Sequence, residues 1–170
     1  MATVILFTVF VLLTGVERVV ELVISKRNAA WAFAQGGVES GRGHFPAMVA
    51  LHTGLLVGCL VEAFYRPFLP ALGWPMFAVV LAGQALRWWC ITTLGHQWNT
   101  RVVVIPDAER VTGGPYRFFS HPNYVAVVVE GVALPLVHTA WITAAVFTVL
   151  NFFVLHTRIG VENTALARLR

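Results

Sequence analysis

Apolar blocks follow one another along almost the whole chain, and their lengths are what most limit its fold. The hydrocarbon layer of a membrane is about 30 Å thick and takes roughly 20 apolar helical residues per crossing. With 58% hydrophobic residues, 12% charged residues and a mean hydropathy of +0.74, a chain of 170 residues has too little polar surface to cover a water-soluble domain. It reads as an all-α integral membrane protein of about five transmembrane helices. The span 1–170 is expected to be a single membrane-embedded domain, with no room for a separate soluble one.

The first block runs from Ala2 to Val16, and its apolar pattern continues through Ile24 with Glu17, Arg18 and Glu21 interleaved. A signal peptide is the rival reading, since Ala32-Phe33-Ala34 resembles a cleavage site. The absence of a basic segment before the apolar run, and the Lys26-Arg27 pair after it, favour a span whose last turns emerge at the interface. Glu17, Arg18 and Glu21 have helical spacings that suit pairing among themselves. Asn28 to His44 is expected to be a loop or surface helix. Gly41 and Gly43 give only G-x-G, without a preceding strand or the later glycine of a dinucleotide fingerprint.

The second span is read at Phe45–Phe64, with His52 and Glu62 as its strongly polar members, and Pro67 and Pro70 mark the turn after it. The third runs from about Pro75 to Leu94 and carries Gln84 and Arg87 on one face. A basic residue inside a span costs about 2.5 to 3.5 kcal/mol on insertion scales, so it faces protein or water. Arg87 is therefore either a substrate-binding residue or a structural one that pairs with Glu130 or snorkels to the nearer surface. Tyr124–Val137 and Ala140–Leu155 are both shorter than a full span, and read either as two short tilted helices or as a hairpin dipping into the membrane. Either way the segment before them and the tail after them lie on one side.

Basic residues concentrate in the first loop (Lys26, Arg27, Arg42), the central loop (Arg101, Arg110, Arg117) and the tail (Arg158, Arg168, Arg170), while the turn after the second span has Arg66. The positive-inside rule then puts the N-terminus outside and the central loop and C-terminus in the cytoplasm. The pI near 9.7 does not signal nucleic acid, because the basic residues form no long run. Cys59 and Cys90 sit in apolar blocks without CxxC spacing and read as space-filling. The six histidines form no HxxH, HxxxH or HH box, so no metal is expected.

The long polar stretch, Leu94 to Tyr124, is where chemistry is expected. Arg101 to Ile105 is a short β-branched run, followed by turn residues Pro106 and Asp107. Gly113-Gly114-Pro115 makes a sharp turn that presents Tyr116 and Arg117. Ser120 suits a helix cap and Pro122 the first turn, which puts His121 at a helix mouth and Tyr124 a turn further in. At the tail, Arg158 and Glu162 share a helix face, either as a simple surface pair or as a guanidinium fork for an anionic acceptor beside a carboxylate that orients it or takes a proton.

GPYRFFSHPNY, Gly114 to Tyr124, followed by the apolar pair and then RIGVE, Arg158 to Glu162, resembles the isoprenylcysteine carboxyl methyltransferase family and its small prokaryotic relatives. The resemblance is good over roughly the second half of the chain and looser before it. It implies S-adenosylmethionine as cofactor, held by His121 and Tyr124, by Pro115 and Tyr116, and by the backbone at Val103, Val104 and Ile105. It implies Arg158 and Glu162 as the catalytic pair, with Arg158 also contacting the acceptor. Two positions depart from the common family pattern: Ser120 where many relatives have arginine, and Asn163 where many have a second glutamate.

The activity expected is methyl transfer to an oxygen of a lipophilic acceptor, either a carboxylate such as that of a prenylcysteine or a phenol or enol hydroxyl of an alkyl polyketide or quinone lipid. Membrane lipids are the other expected partner, with no nucleic acid and no obligate protein subunit. The alternatives are an NADPH-dependent reductase of the sterol type and a non-catalytic small membrane subunit.

Overall fold

The computed structural model describes residues 1–106 and 108–167; Asp107, Arg168 and Arg170, read above as turn and tail residues, lie outside that range. Five helices account for most of it: α1 (Ala2–Ala34), α2 (Phe45–Ala63), α3 (Pro70–Leu94), α4 (Pro122–Leu136) and α5 (Trp141–Ala167). α1, α2, α3 and α5 are long and apolar enough to cross a membrane, and α4 is a shorter apolar helix. The protein is an all-α integral membrane bundle. Its interior is built from Phe7, Val11, Leu55, Val80, Leu134 and Phe147. Outward-facing Leu12, Val16, Val149 and Phe152 give it the apolar exterior that lipid requires.

α1 runs on past Asn28, because Lys26 to Ala34 holds no helix breaker until Gly36-Gly37. There the helix ends in a Schellman motif: Gly37 N–H donates to Ala32 O (2.8 Å), Gly36 N–H donates to Phe33 O (3.0 Å), and Gly36 takes φ of 79°. A Cβ on Gly37 would sit 2.6 Å from Ala32 O. The chain then forms a strand the sequence reading did not contain. β1 (Val38–Ser40) pairs antiparallel with β2 (Val102–Val104), Val38 opposite Val104, and so clasps the first loop to the central loop.

The two short apolar segments run the length of the bundle and back, with α4 the shorter of the pair. Thr139, in the α4–α5 turn, donates its Oγ1 hydrogen to Pro67 O (2.6 Å), and a Cβ on Gly73 would lie 2.7 Å from Val137 O. The α4–α5 turn therefore meets the α2–α3 turn at the end of the bundle opposite the central loop. α5 is far longer than the apolar stretch suggested, since its helix continues through Arg158 and Glu162 to Ala167. Glu62 fixes the same end: its carboxylate accepts the N–H groups of Ile142 (3.1 Å) and Thr143 (2.8 Å), an anion placed at the N-terminus of α5. Thr139 has φ of 55°, unusual for a β-branched residue, and its buried side-chain bond holds it there.

α4 and α5 approach closely at Gly131, where any Cβ would collide with the ring of buried Phe147. Gly131→Leu is expected to destabilise the bundle by about 1–3 kcal/mol, the usual cost of overpacking. Thermal unfolding in detergent measures it, and an unchanged midpoint would show that the two helices can separate there.

Candidate functional site

Polar residues on the last third of α1 fasten the start of the central loop. Ser25 Oγ donates to Asn99 Oδ1 (2.7 Å) and accepts Thr100 N–H (3.0 Å), while Asn28 Nδ2 donates to the carbonyls of Gly95 (3.1 Å) and Trp98 (2.7 Å). Trp98 is thereby buried beneath the loop, its indole N–H unpartnered among the described residues. β2 follows; in a two-stranded sheet its far edge has no strand partner among the described residues. A single helical turn at Gly114–Arg117 then swings the chain back, with Gly114 at φ of 55° against Thr93 and Trp89. Pro122 stands in the first turn of α4 as its missing N–H favours. The N-cap is His121 rather than Ser120, and no side chain bonds back to cap the helix.

A cavity of about 180 Å³ opens between these pieces and the end of α5, and Val103, Val104, Ile105, Tyr116, His121, Tyr124, Arg158 and Glu162 all line it. Of the residues singled out for a cofactor, Pro115 does not reach it: the ring is fully buried behind, supporting the turn. The rings of His121 and Tyr124 stack with centroids 5.4 Å apart. The Tyr124 hydroxyl donates to Glu162, and the Arg158 guanidinium lies 5.6 Å over the Tyr124 ring. Burial pushes the Tyr116 phenol upward, keeping it protonated.

Arg158 is 4% exposed. Its Nη2 donates to Thr100 O (2.7 Å), its Nη1 rests on Met48 Sδ, and its Nε has no partner among the described residues. The Asn123 side-chain oxygen, also buried, is likewise unpartnered among the described residues. Glu162 turns toward His121 and Tyr124 and lines the first cavity together with Arg158, with Tyr124 contacted by both.

His121 Nδ1 lies 3.5 Å from Glu162 Oε1, and Nε2 lies 3.1 Å from Asn163 Oδ1. The Glu162 carboxylate raises the imidazole above its ordinary value of 6.5, against the opposing effect of burial. A raised folded-state value stabilises fully below the unfolded value and is lost as pH rises through the folded one. The stability gap between the wild type and His121→Gln is therefore expected to be widest in mild acid and to narrow as pH passes above 6.5. A gap constant across that titration in a thermal-unfolding series would contradict the pairing.

A second cavity, of about 130 Å³, runs into the bundle and shares Trp98, Asn123, Tyr124 and Arg158 with the first. Leu56, Val127, Val154 and Leu155 make it mostly apolar, while Arg18, Glu21, Arg87, His52 and Asn151 give it polar walls. The pairing of Arg18 with Glu17 and Glu21 (both 3.1 Å) extends into a larger cluster. Arg18 also reaches Glu130 (3.6 Å), and Arg87 pairs with Glu130 and, at 3.6 Å, with Glu21. Arg87 is thus both ion-paired and at the wall of a cavity. His52, Asn123 and Asn151 were given no role from sequence; the signal available was a polar side chain in an apolar helix or helix mouth.

Two adjoining cavities thus lie at one end of a lipid-facing helical bundle, the second more apolar than the first. The chain belongs to the isoprenylcysteine carboxyl methyltransferase (ICMT) family, whose model matches residues 76–168, from α3 through α5. Membership implies a membrane methyltransferase. The chain is 32% identical over 162 residues to an uncharacterised protein of Bacillus subtilis (strain 168), YpbQ, covering 95% of this chain and 96% of that one. It is 22% identical over 154 residues to an uncharacterised protein of Haemophilus influenzae, covering 89% and 90%. No solved structure matches it.

Proposed function

We propose that the protein is an S-adenosylmethionine-dependent O-methyltransferase whose donor binds in the first cavity and whose lipophilic acceptor occupies the second. The observation that carries this is the shared wall: Tyr124, Arg158, Asn123 and Trp98 belong to both cavities, so two ligands would meet there. The donor set suits the cofactor. The stacked His121 and Tyr124 rings offer faces to a sulfonium or an adenine, and the unpaired edge of β2 offers backbone groups. The orphaned Asn123 oxygen and Glu162 offer acceptors for its amino and hydroxyl hydrogens.

When bound, the cofactor supplies an electrophilic methyl group. The chain's own part is to align the acceptor oxygen and to keep water out, and an apolar second cavity does both. Arg158, with a free Nε at the junction, is placed to hold negative charge on the acceptor oxygen. The first loop, central loop and α5 end, which carry the basic residues, lie at one end of the bundle. We assign that end to the cytoplasm and the N-terminus to the opposite side.

The test is ligand-induced stabilisation of the purified protein. S-adenosylhomocysteine is expected to raise its unfolding temperature, and His121→Ala and Tyr124→Phe to weaken that rise at least about tenfold in ligand concentration, the effect of losing about 1.4 kcal/mol. Stabilisation by NADPH instead would favour a reductase. Unchanged affinity in stable variants would remove these residues from the donor site.

A further inference from the structure

Trp98, Asn123, Tyr124 and Arg158 line both cavities, and the methyl-transfer scheme gives a task to all of them except Trp98. The indole is 2% exposed, and its Nε1–H has no partner among the described residues. Buried side-chain polar atoms are hydrogen-bonded in the large majority of cases, so an orphan calls for a reason. An indole nitrogen only donates, and what it lacks is an acceptor atom that the chain does not supply. Arg158 Nε is a second buried donor in the same position, on the same shared wall.

One short strap of chain holds both donors. The Trp98 carbonyl accepts Asn28 Nδ2 (2.7 Å), and the Trp98 backbone N–H donates to Gly95 O (3.1 Å). Two residues on, Thr100 N–H donates to Ser25 Oγ (3.0 Å), and Thr100 O accepts Arg158 Nη2 (2.7 Å). Ser25 and Asn28 are i, i+3 neighbours on one face of α1, so α1 pins the strap at both ends. Two residues of extended chain span at most about 7 Å, which keeps the tie to Arg158 close to Trp98. The Tyr124 ring beneath the guanidinium (5.6 Å) restrains it further. Both donors are therefore ordered before a ligand arrives, and binding to them costs little further ordering.

We propose that Trp98 is an acceptor-binding residue, its indole N–H and the Arg158 Nε–H together holding the oxygen that receives the methyl group; this rests on the methyltransferase reading above and applies to either class of oxygen acceptor. The oxygen has to lie at the junction, because the methyl group passes there from one cavity to the other. Further in, Arg18 and Arg87 are committed to Glu17, Glu21 and Glu130. A further guanidinium at the junction would repel the donor's sulfonium, whereas an indole N–H grips an oxygen without adding charge. The two bonds leave another lone pair of the anionic oxygen directed at the methyl carbon. That pair forms the O–CH3 bond while the S–CH3 bond breaks with its electrons remaining on sulfur, and neither N–H hydrogen moves. The competing partner for the indole is a water bridging it to Asn123 Oδ1, orphaned on the same wall. In that case acceptor affinity is independent of the indole N–H.

The experiment uses the full chain in detergent, labelled S-adenosylmethionine and a lipid extract supplied in increasing amount. Trp98→Phe removes the N–H and keeps an aromatic ring in place. It is expected to raise the amount of extract needed for half-maximal methyl transfer about tenfold or more, the effect of losing one hydrogen bond to a charged oxygen. S-adenosylhomocysteine is expected to stabilise this variant at the same concentration as the wild type. An unchanged requirement for extract overturns the proposal. An equal loss of affinity for S-adenosylhomocysteine overturns it too, by moving Trp98 to the methyl donor's site. If Trp98→Phe does not fold, the wild type decides the matter by magnetic resonance. With S-adenosylhomocysteine bound, the Trp98 indole proton signal, assigned by replacing the other tryptophans in turn, is expected to move downfield when the extract fraction that accepts label is added. A signal that stays in place overturns the role of the N–H. Failure of S-adenosylhomocysteine to stabilise the wild type would instead overturn the methyltransferase reading itself.

Discussion

Arg158→Ala is expected to lower methyl transfer by about a hundredfold or more, the cost of removing a preorganised donor from a developing oxyanion. Arg158 is the one singled-out tail residue on the walls of both cavities, and its unpartnered Nε is buried at their junction. Its bond to Thr100 O and its place over Tyr124 keep the side chain in one orientation, so little is lost to reorganisation during the reaction. Arg158→Lys should recover only part of the rate, because an ammonium cannot bond Thr100 and still present a second donor in the same plane. Labelled methyl transfer into a lipid extract reads the rate and identifies the product. Thermal stabilisation by S-adenosylhomocysteine reports whether the variant is folded. Full turnover in a folded Arg158→Ala protein would reduce this end of α5 to a structural helix.

Arg87→Leu is expected to destabilise the bundle by about 3–5 kcal/mol, as when one member of a buried ion pair is removed. Its loss leaves Glu17, Glu21 and Glu130 around the single guanidinium of Arg18. Replacing both Arg87 and Glu130 by leucine is expected to recover much of that loss, since one charge of each sign is then removed, the cluster keeps its original net charge and the apolar side chains fill the space. Thermal or chemical unfolding of the single and double variants in detergent measures the difference. A single variant as stable as the wild type would show that Arg87 stands at the cavity wall for a ligand and not for α1, α3 and α4.

Much of this was legible in the chain. The apolar blocks at Ala2–Ile24, Phe45–Phe64 and Pro75–Leu94 became α1, α2 and α3, because a helix in lipid must satisfy its own backbone and therefore needs an uninterrupted apolar run. GPYRFFSHPNY and RIGVE were legible as a pair, and the structure brings Tyr124 against both Glu162 and Arg158. Other features were hidden for definite reasons. β1 has three residues and no alternating pattern, so only its partner reveals it. The cap position passed from Ser120 to His121 because the helix starts at Pro122. Pro115 carries a motif position yet faces away from the cavity.

The sequence by itself determined that the chain is a helical membrane protein, that it resembles the isoprenylcysteine carboxyl methyltransferase family, and that its polar motifs lie in Leu94–Tyr124 and the tail. Those properties follow from hydropathy and local motif, which are written residue by residue. The tertiary structure alone decided that α4 crosses the bundle, since this rests on Thr139 meeting Pro67 and Glu62 capping α5. It alone decided that Glu162 serves the first cavity while His52 faces the second, and that Glu17, Arg18, Glu21, Arg87 and Glu130 form one cluster. Those are relations between helices far apart in sequence, and hydropathy records which face a residue prefers but not which neighbour it will meet.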